Sequence, residues 1–311
     1  MSQESSTFKG SNGQEIFTWC WSTAQKPRGI LQIFHGMAEH AQRYTELAQY
    51  LNKEGFTVYA CDMRGHGRTG ELNSDSCHMD RDGFSGCIED QALLMERIGQ
   101  EYPGVPLVVL GHSFGSFLAQ EFIKHYGNRI SGVILSGSSL MKGADISAAY
   151  FLSRLAIVSG NRKPGRLINK LSFGSYNKAI KNPSSEFSWL SRDEKIVRKY
   201  DEDNFCGNVL SNGFFNCFMG GLYKLYDGMD KVPLDLPVCI LSGAEDPVGK
   251  YGIGAKKLYD VYRKLGVTDL RIKLYPGARH EIINEINRED VYQDILQWLT
   301  EHCFIQPLPK A

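Results

Sequence analysis

The chain has 311 residues, and 35 Lys plus Arg balance 35 Asp plus Glu, so it carries no formal net charge. It has no long basic run, and its densest basic stretch, Arg162-Lys163-Pro164-Gly165-Arg166, reads as a solvated turn; both points argue against a nucleic-acid partner. No apolar stretch approaches the ~18 residues of a membrane span, no signal peptide is visible in the polar start, and the length suits one large α/β unit with an insertion.

Residues 5–22 read as a hairpin, with Asn12-Gly13 as a two-residue turn and alternation from Glu15 to Trp21. A strand over 29–34 ends at His35-Gly36-Met37-Ala38-Glu39-His40, and a helix over 43–53 follows, stopped by Gly55. The next strand, 56–61, runs into Asp62-Met63-Arg64-Gly65-His66-Gly67-Arg68 and a polar loop. A helix over 83–100 then ends before Pro103. Residues 107–110 form a short buried strand, and Phe117, Leu118, Phe122 and Ile123 recur at helical spacing up to Tyr126 and Gly127. Between these two elements lies Gly111-His112-Ser113-Phe114-Gly115. Another strand covers 132–136.

The alternation lapses over 140–232, which reads as short helices and loops. There Ser191-Arg192-Asp193-Glu194 looks like a capping box. Phe214, Phe215, Phe218, Met219, Leu222, Tyr223 and Tyr226 make an aromatic face at helical spacing. This face is expected to pack an inserted lid on the core, and its exposed remainder to line an acyl tunnel or touch a lipid surface. Alternation resumes with a strand over 237–241, a helix over 254–265, a strand over 270–275 and a helix over 289–302. The fold class is therefore α/β, a mostly parallel doubly wound sheet, with core segments 1–139 and 233–311 around the insertion. The eight cysteines are scattered with no C-x-x-C pair, and Cys61 and Cys239 fall inside strands. Reduced thiols and a cytoplasmic location are expected, and the zinc reading lacks ligand spacing.

Ligands of such sheets bind beyond the carboxyl ends of the strands, and every polar motif above lies at such an end. Strand, sharp turn and helix around Gly-x-Ser-x-Gly is the setting of a nucleophile elbow, where glycines spare a collision and the serine is strained. A serine hydroxyl needs a base, an orienting carboxylate and oxyanion donors. Behind such an elbow the order along the chain is serine, carboxylate, histidine, which Ser113, Asp246 and His280 supply. Glu245 is the rival carboxylate. Of the eight histidines, His112 is expected to point away from its neighbour Ser113, and His35 and His66 lie in loops with other uses. The oxyanion donors are assigned to the N–H groups of Met37 and Phe114, with Glu39 and His40 anchoring the first loop. Asp62 and Arg64 are given a structural role, ordering their loop near the elbow.

The motifs at 35–40, 62–67 and 111–115, followed by Gly243-Ala244-Glu245-Asp246-Pro247-Val248 and Pro276-Gly277-Ala278-Arg279-His280-Glu281, together resemble the monoacylglycerol lipase and lysophospholipase-like branch of the α/β-hydrolases, which also groups with serine aminopeptidases. The resemblance spans residues 10–300 and is weakest across the insertion. It implies Ser113 as nucleophile, Asp246 as orienting acid, His280 as base, and Met37 and Phe114 as oxyanion donors. It also implies that no metal or organic cofactor is needed. Phe114 and Ser116 depart from the family's usual Met and Gly, and Ser116 is expected to crowd the helix–strand contact slightly. The expected activity is hydrolysis of carboxylic esters with an apolar acyl group, monoacylglycerols or lysophospholipids first, with a transient membrane contact through the lid. The alternatives are a short-chain or aromatic-acid esterase, a serine aminopeptidase using Asp201, Glu202 and Asp203 to hold an ammonium, and a non-catalytic ligand binder.

Overall fold

The computed structural model describes residues 2–303. Eight strands form one sheet in the order β1-β2-β4-β3-β5-β6-β7-β8. The hairpin β1 (Ser2–Lys9) and β2 (Glu15–Ser22) is antiparallel, and β2 also pairs antiparallel with β4 (Phe56–Cys61). From β3 (Gly29–Phe34) through β5 (Leu107–His112), β6 (Gly132–Ser136), β7 (Val238–Gly243) and β8 (Leu270–Tyr275) all pairing is parallel. Asn12 and Gly13 both take the left-handed backbone that a tight turn needs, at φ 55° and 74°. Yet Lys9 pairs with Glu15, so they sit in a five-residue loop rather than a two-residue one.

The apolar runs of the central strands reflect burial on both faces. Along β5, Val109 packs with α3 (Gly83–Glu101) and α4 (Phe114–Tyr126), whereas Val108 and Leu110 pack with α1 (Thr45–Lys53) and α10 (Arg288–His302). All three are fully buried, each contributing on the order of 1.5–3 kcal/mol. At the edge, β8 instead alternates, and Lys273 on its open face pairs with Asp294, which blunts the strand against edge pairing.

Two expected local features differ. A short helix, α2 (Gly67–Leu72), occupies the start of the loop after β4. Within the insertion, Asp193 rather than Ser191 caps its helix, accepting the N–H of Lys195, while Ser191 Oγ accepts the N–H of Asp193. An aspartate placed directly before the first turn also suits the positive helix end. Residues between β6 and β7 add no strand to the sheet and carry α5 (Ala144–Ala156), α6 (Arg166–Phe173), α7 (Glu194–Glu202) and α8 (Asn212–Lys224). The aromatic face of α8 packs onto the same core as α3 and α4, with Phe214 and Phe215 fully buried. Helix α9 (Ile253–Leu265) then returns the chain to the sheet.

The elbow between β5 and α4 fixes where this core can be functional. Ser113 holds φ 49° and ψ −116°, a strained pair for a residue with a side chain. A Cβ on Gly115 would run into the carbonyl oxygens of Phe34 and His35, and one on Gly111 would meet the backbone of Gly115 and Ser116. Ser116 is accommodated rather than crowded, since its hydroxyl donates to Ser113 O at 2.6 Å and lies in hydrogen-bond contact with Ser138 Oγ at 2.8 Å. Two alanine substitutions should therefore move stability in opposite directions. Gly115→Ala must displace backbone and is expected to lower stability by about 1–3 kcal/mol. Gly99→Ala, on the exposed side of α3 with open space around it, should raise stability by about 0.5–1 kcal/mol. Urea unfolding midpoints measure both.

Candidate active site

Four loops at the carboxyl end of the sheet meet around Ser113. The loop after β7 brings Asp246, fully buried, to His280 in the loop after β8, and His280 Nδ1 donates to Asp246 Oδ2 at 2.9 Å. Asp246 Oδ1 accepts the N–H of Val248, so both carboxylate oxygens are held. Glu245 is exposed. The loop after β3 places Met37 beside Ser113, and Phe114 begins α4, where the first N–H groups have no partner within the helix.

Two cavities open at Ser113. One, of about 510 Å³, is apolar and lined by Phe117, Leu152, Ile168, Phe218, Met219 and Leu222 among others. The other, of about 450 Å³, is mixed, and includes His280, Glu39, Asn169, Asn177, Tyr200 and Asn208. Met37, Ser113, Phe173 and Trp189 border both. Trp189, from the insertion, packs 5.2 Å from the His280 ring and edge-on to Tyr176 at 4.8 Å. Its backbone joins the same loop: the carbonyls of Trp189 and Leu190 accept the N–H groups of His280 and Glu281 at 3.4 and 2.7 Å.

His112 does not point away. Its ring lies 4.9 Å from that of His280 and borders the mixed cavity. Gly137, at φ 57°, makes the room, because a Cβ there would sit 3.0 Å from both imidazoles. Burial, with His280 beside it, lowers the His112 pKa to about 4, so it stands there as a neutral ring. His35 donates from Nδ1 to Gly36 O and accepts the Met63 N–H at Nε2, which ties two loops together. Burial holds its pKa well below the ordinary value, and that of His66 at about 4. His280 is the exception. Burial pulls it down as well, but the charge and hydrogen bond of Asp246, with Glu281 and Glu39 beyond, outweigh this and raise its pKa above 6.5.

The supporting residues take structural places. Asp62 accepts the N–H groups of Ala41 and Arg68. Arg64 reaches away from the elbow, forking onto Asp90 and bonding Ser11, so it orders the hairpin loop against α3. Glu39 accepts the N–H of Gly36 at 2.5 Å. His40 donates to Asp203 of the insertion at 2.9 Å. With Cys206 these two form a group of potential metal ligands within 4.8 Å of one another, but the Arg43 guanidinium acts on Cys206 from alongside, which opposes a second cation there. Asp201, Glu202 and Asp203 border neither cavity at Ser113. All eight cysteines are free thiols. Trp189, Arg43 and Glu281 were not singled out from sequence. The only signals were the i, i+4 spacing of Glu39 and Arg43 and the adjacency of Glu281 to His280.

Residues 25–287 match the family described as serine aminopeptidase, S33. The chain is 30% identical over 302 residues to a monoacylglycerol lipase of Mycolicibacterium smegmatis, covering 95% of this chain and 96% of that one. It is 26% identical to the monoglyceride lipase of Rattus norvegicus, over 95% of this chain and 90% of the relative. A thermostable carboxyl esterase from Bacillus coagulans, solved in complex with glycerol, superposes with a TM-score of 0.90 at 27% identity, covering 98% of this chain and all of that one. The family match over residues 25–287 and 30% identity across nearly the whole of both chains lead to one assignment: the chain belongs to the serine aminopeptidase S33 family of α/β-hydrolases, in the branch that holds the monoacylglycerol lipases.

Proposed function

We propose that the chain hydrolyses monoacylglycerols and related single-chain carboxylic esters, with Ser113 as nucleophile, His280 as base and Asp246 as the orienting carboxylate. One observation carries this reading: an apolar cavity and a mixed polar cavity meet at Ser113, as an ester with a fatty acyl group on one side and a polyol on the other requires. The names of the relatives support the same substrate class. An apolar cavity of about 510 Å³ favours long acyl groups over acetate. The carboxylates at 201–203 line neither cavity, so they give the aminopeptidase alternative no ammonium site.

In the first step Ser113 Oγ bonds to the ester carbonyl carbon while His280 Nε2 takes the hydroxyl proton. The negative charge that develops on the carbonyl oxygen is received by the N–H groups of Met37 and Phe114. Asp246 fixes the His280 tautomer through Nδ1 and stabilises the imidazolium. Collapse breaks the bond to the alcohol, which leaves with the proton from His280. Water then attacks the acyl-Ser113 ester, giving its proton to His280, and the acid departs as Ser113 recovers its proton.

The helical insertion serves in this reading as a lid. Phe151, Leu155, Val158, Leu167 and Leu171 are exposed on α5, α6 and the turn between, Val158 by 84%, while Leu152 and Leu171 also border the apolar cavity. Such a face at a cavity mouth fits contact with an aggregated lipid surface. Among the described residues no helix is long and apolar enough to cross a membrane.

Three outcomes are expected. A fluorophosphonate should label Ser113 alone, and Ser113→Ala should lower turnover of a monoacylglycerol by at least about 10⁴-fold. Labelling elsewhere, with activity kept in the variant, contradicts the assignment. In a pH series with a soluble ester, kcat/KM should fall as pH drops through a value above 6.5, because His280 must be neutral to act. The sign for stability is opposite. The fold favours protonated His280, so its contribution is complete below the unfolded pKa and is lost as pH rises through the folded one. Finally, Val158→Glu with Leu167→Glu should slow hydrolysis of vesicle-borne monoacylglycerol and leave a soluble short ester unaffected. Equal rates on vesicles would remove the surface-contact role.

A further inference from the structure

At the wall of the mixed cavity beside Ser113 a single guanidinium is shared by two buried carboxylates. Arg43 Nη1 donates to Glu39 Oε2 at 2.5 Å, and its two terminal nitrogens donate to the two oxygens of Glu281 at 2.6 and 2.7 Å. The carboxylates are 3% and 2% exposed. Each also grips a loop of the site. Glu39 Oε1 accepts the N–H of Gly36, next to Met37, and the hydroxyl of Tyr44. Glu281 follows His280 directly, and its Oε2 accepts Asn284 Nδ2. Arg43 further lies 4.8 Å from the Tyr200 ring, whose hydroxyl donates to Ala38 O, so the insertion closes over the same group.

We propose that Glu39, Arg43 and Glu281 form a positioning unit that holds the Gly36–Met37 loop in register with the His280 loop and keeps one excess negative charge behind His280. The inference rests on the roles given above to Met37 and His280. None of the three side chains is needed to touch the reacting atoms; they act through the Gly36 N–H, through the backbone of residue 281, and through charge. Two carboxylates of one sign would repel in a buried site, and the bidentate fork of an arginine spans both where a lysine cannot. The remaining charge favours the imidazolium that His280 becomes when it takes the Ser113 proton. The other groups that face His280 are Asp246 from the loop after β7, His112 from the end of β5, and the uncharged Trp189 of the insertion.

The test compares Glu281→Gln, Arg43→Lys and wild type on a soluble ester. Rates are expressed per active site titrated with a fluorophosphonate, so that misfolded protein is not counted. Glu281→Gln keeps the shape and removes one charge. Its kcat should fall on the order of 10- to 100-fold with KM little changed, and the acid limb of its kcat/KM profile should move to lower pH. Arg43→Lys keeps the charge and loses the fork, so it should lose part of kcat while the acid limb stays in place. An unmoved acid limb in Glu281→Gln, with kcat per site within twofold of wild type, overturns the proposal and leaves a purely structural ion pair. If wild type itself is not labelled at Ser113, the catalytic assignment has failed instead, and the two failures are separable.

Discussion

The close approach of Gly115 to the carbonyl oxygens of Phe34 and His35 is the constraint on which the site depends. It presses the first turn of α4 against the end of β3, and the parallel pairing of β3 with β5 brings those ends level, Phe34 beside Gly111. The loop leaving β3 therefore starts beside the elbow, and Met37 has nowhere to go but the rim of the Ser113 cavities. The strained backbone of Ser113 is held by β5 and β6, since its N–H donates to Ser136 O at 2.9 Å. Strain at one residue is thus balanced by the packing of two strands and a helix.

The core elements were legible because their burial leaves a simple pattern. Strands covered on both faces, such as 56–61 and 107–112, must be continuous apolar runs, and their ends are where polar motifs begin. The proposal of Ser113, Asp246 and His280 from their order along the chain rests on the same pattern. Short features without a buried face were less legible. Gly67-Arg68-Thr69-Gly70-Glu71-Leu72 has two glycines and no apolar stripe, yet it is helical because Asp62 accepts the Arg68 N–H and Thr69 Oγ1 accepts the Phe17 N–H. The second of these partners lies 52 residues away in sequence.

His112 shows the same limit inside the site. Its neighbours in sequence suggest only that adjacent side chains diverge. Its true place depends on Gly137, a residue in another loop whose left-handed backbone leaves a slot for two imidazoles. Trp189 was invisible for a related reason. It lies in a turn between α6 and α7, outside any helix or strand, so no periodicity marks it as the side chain that meets His280. A long-range contact made by one aromatic ring has no spacing signature.

The buried histidines around the elbow show how one imidazole comes to differ from the others. His35, His66, His112 and His280 are all at most 3% exposed, and burial alone lowers the pKa of each. For His35 and His66 the ring hydrogen bonds reach backbone groups, which orient the imidazole without paying it a charge. His112 has only a 3.4 Å approach to Ser136 Oγ and a second imidazole beside it. Only His280 has a carboxylate in contact, with two more behind it sharing one arginine. Desolvation is common to all four, so what sets His280 apart from the three neutral rings must be where the carboxylates lie. That placement follows from the loops after β3, β7 and β8 converging at one end of the sheet.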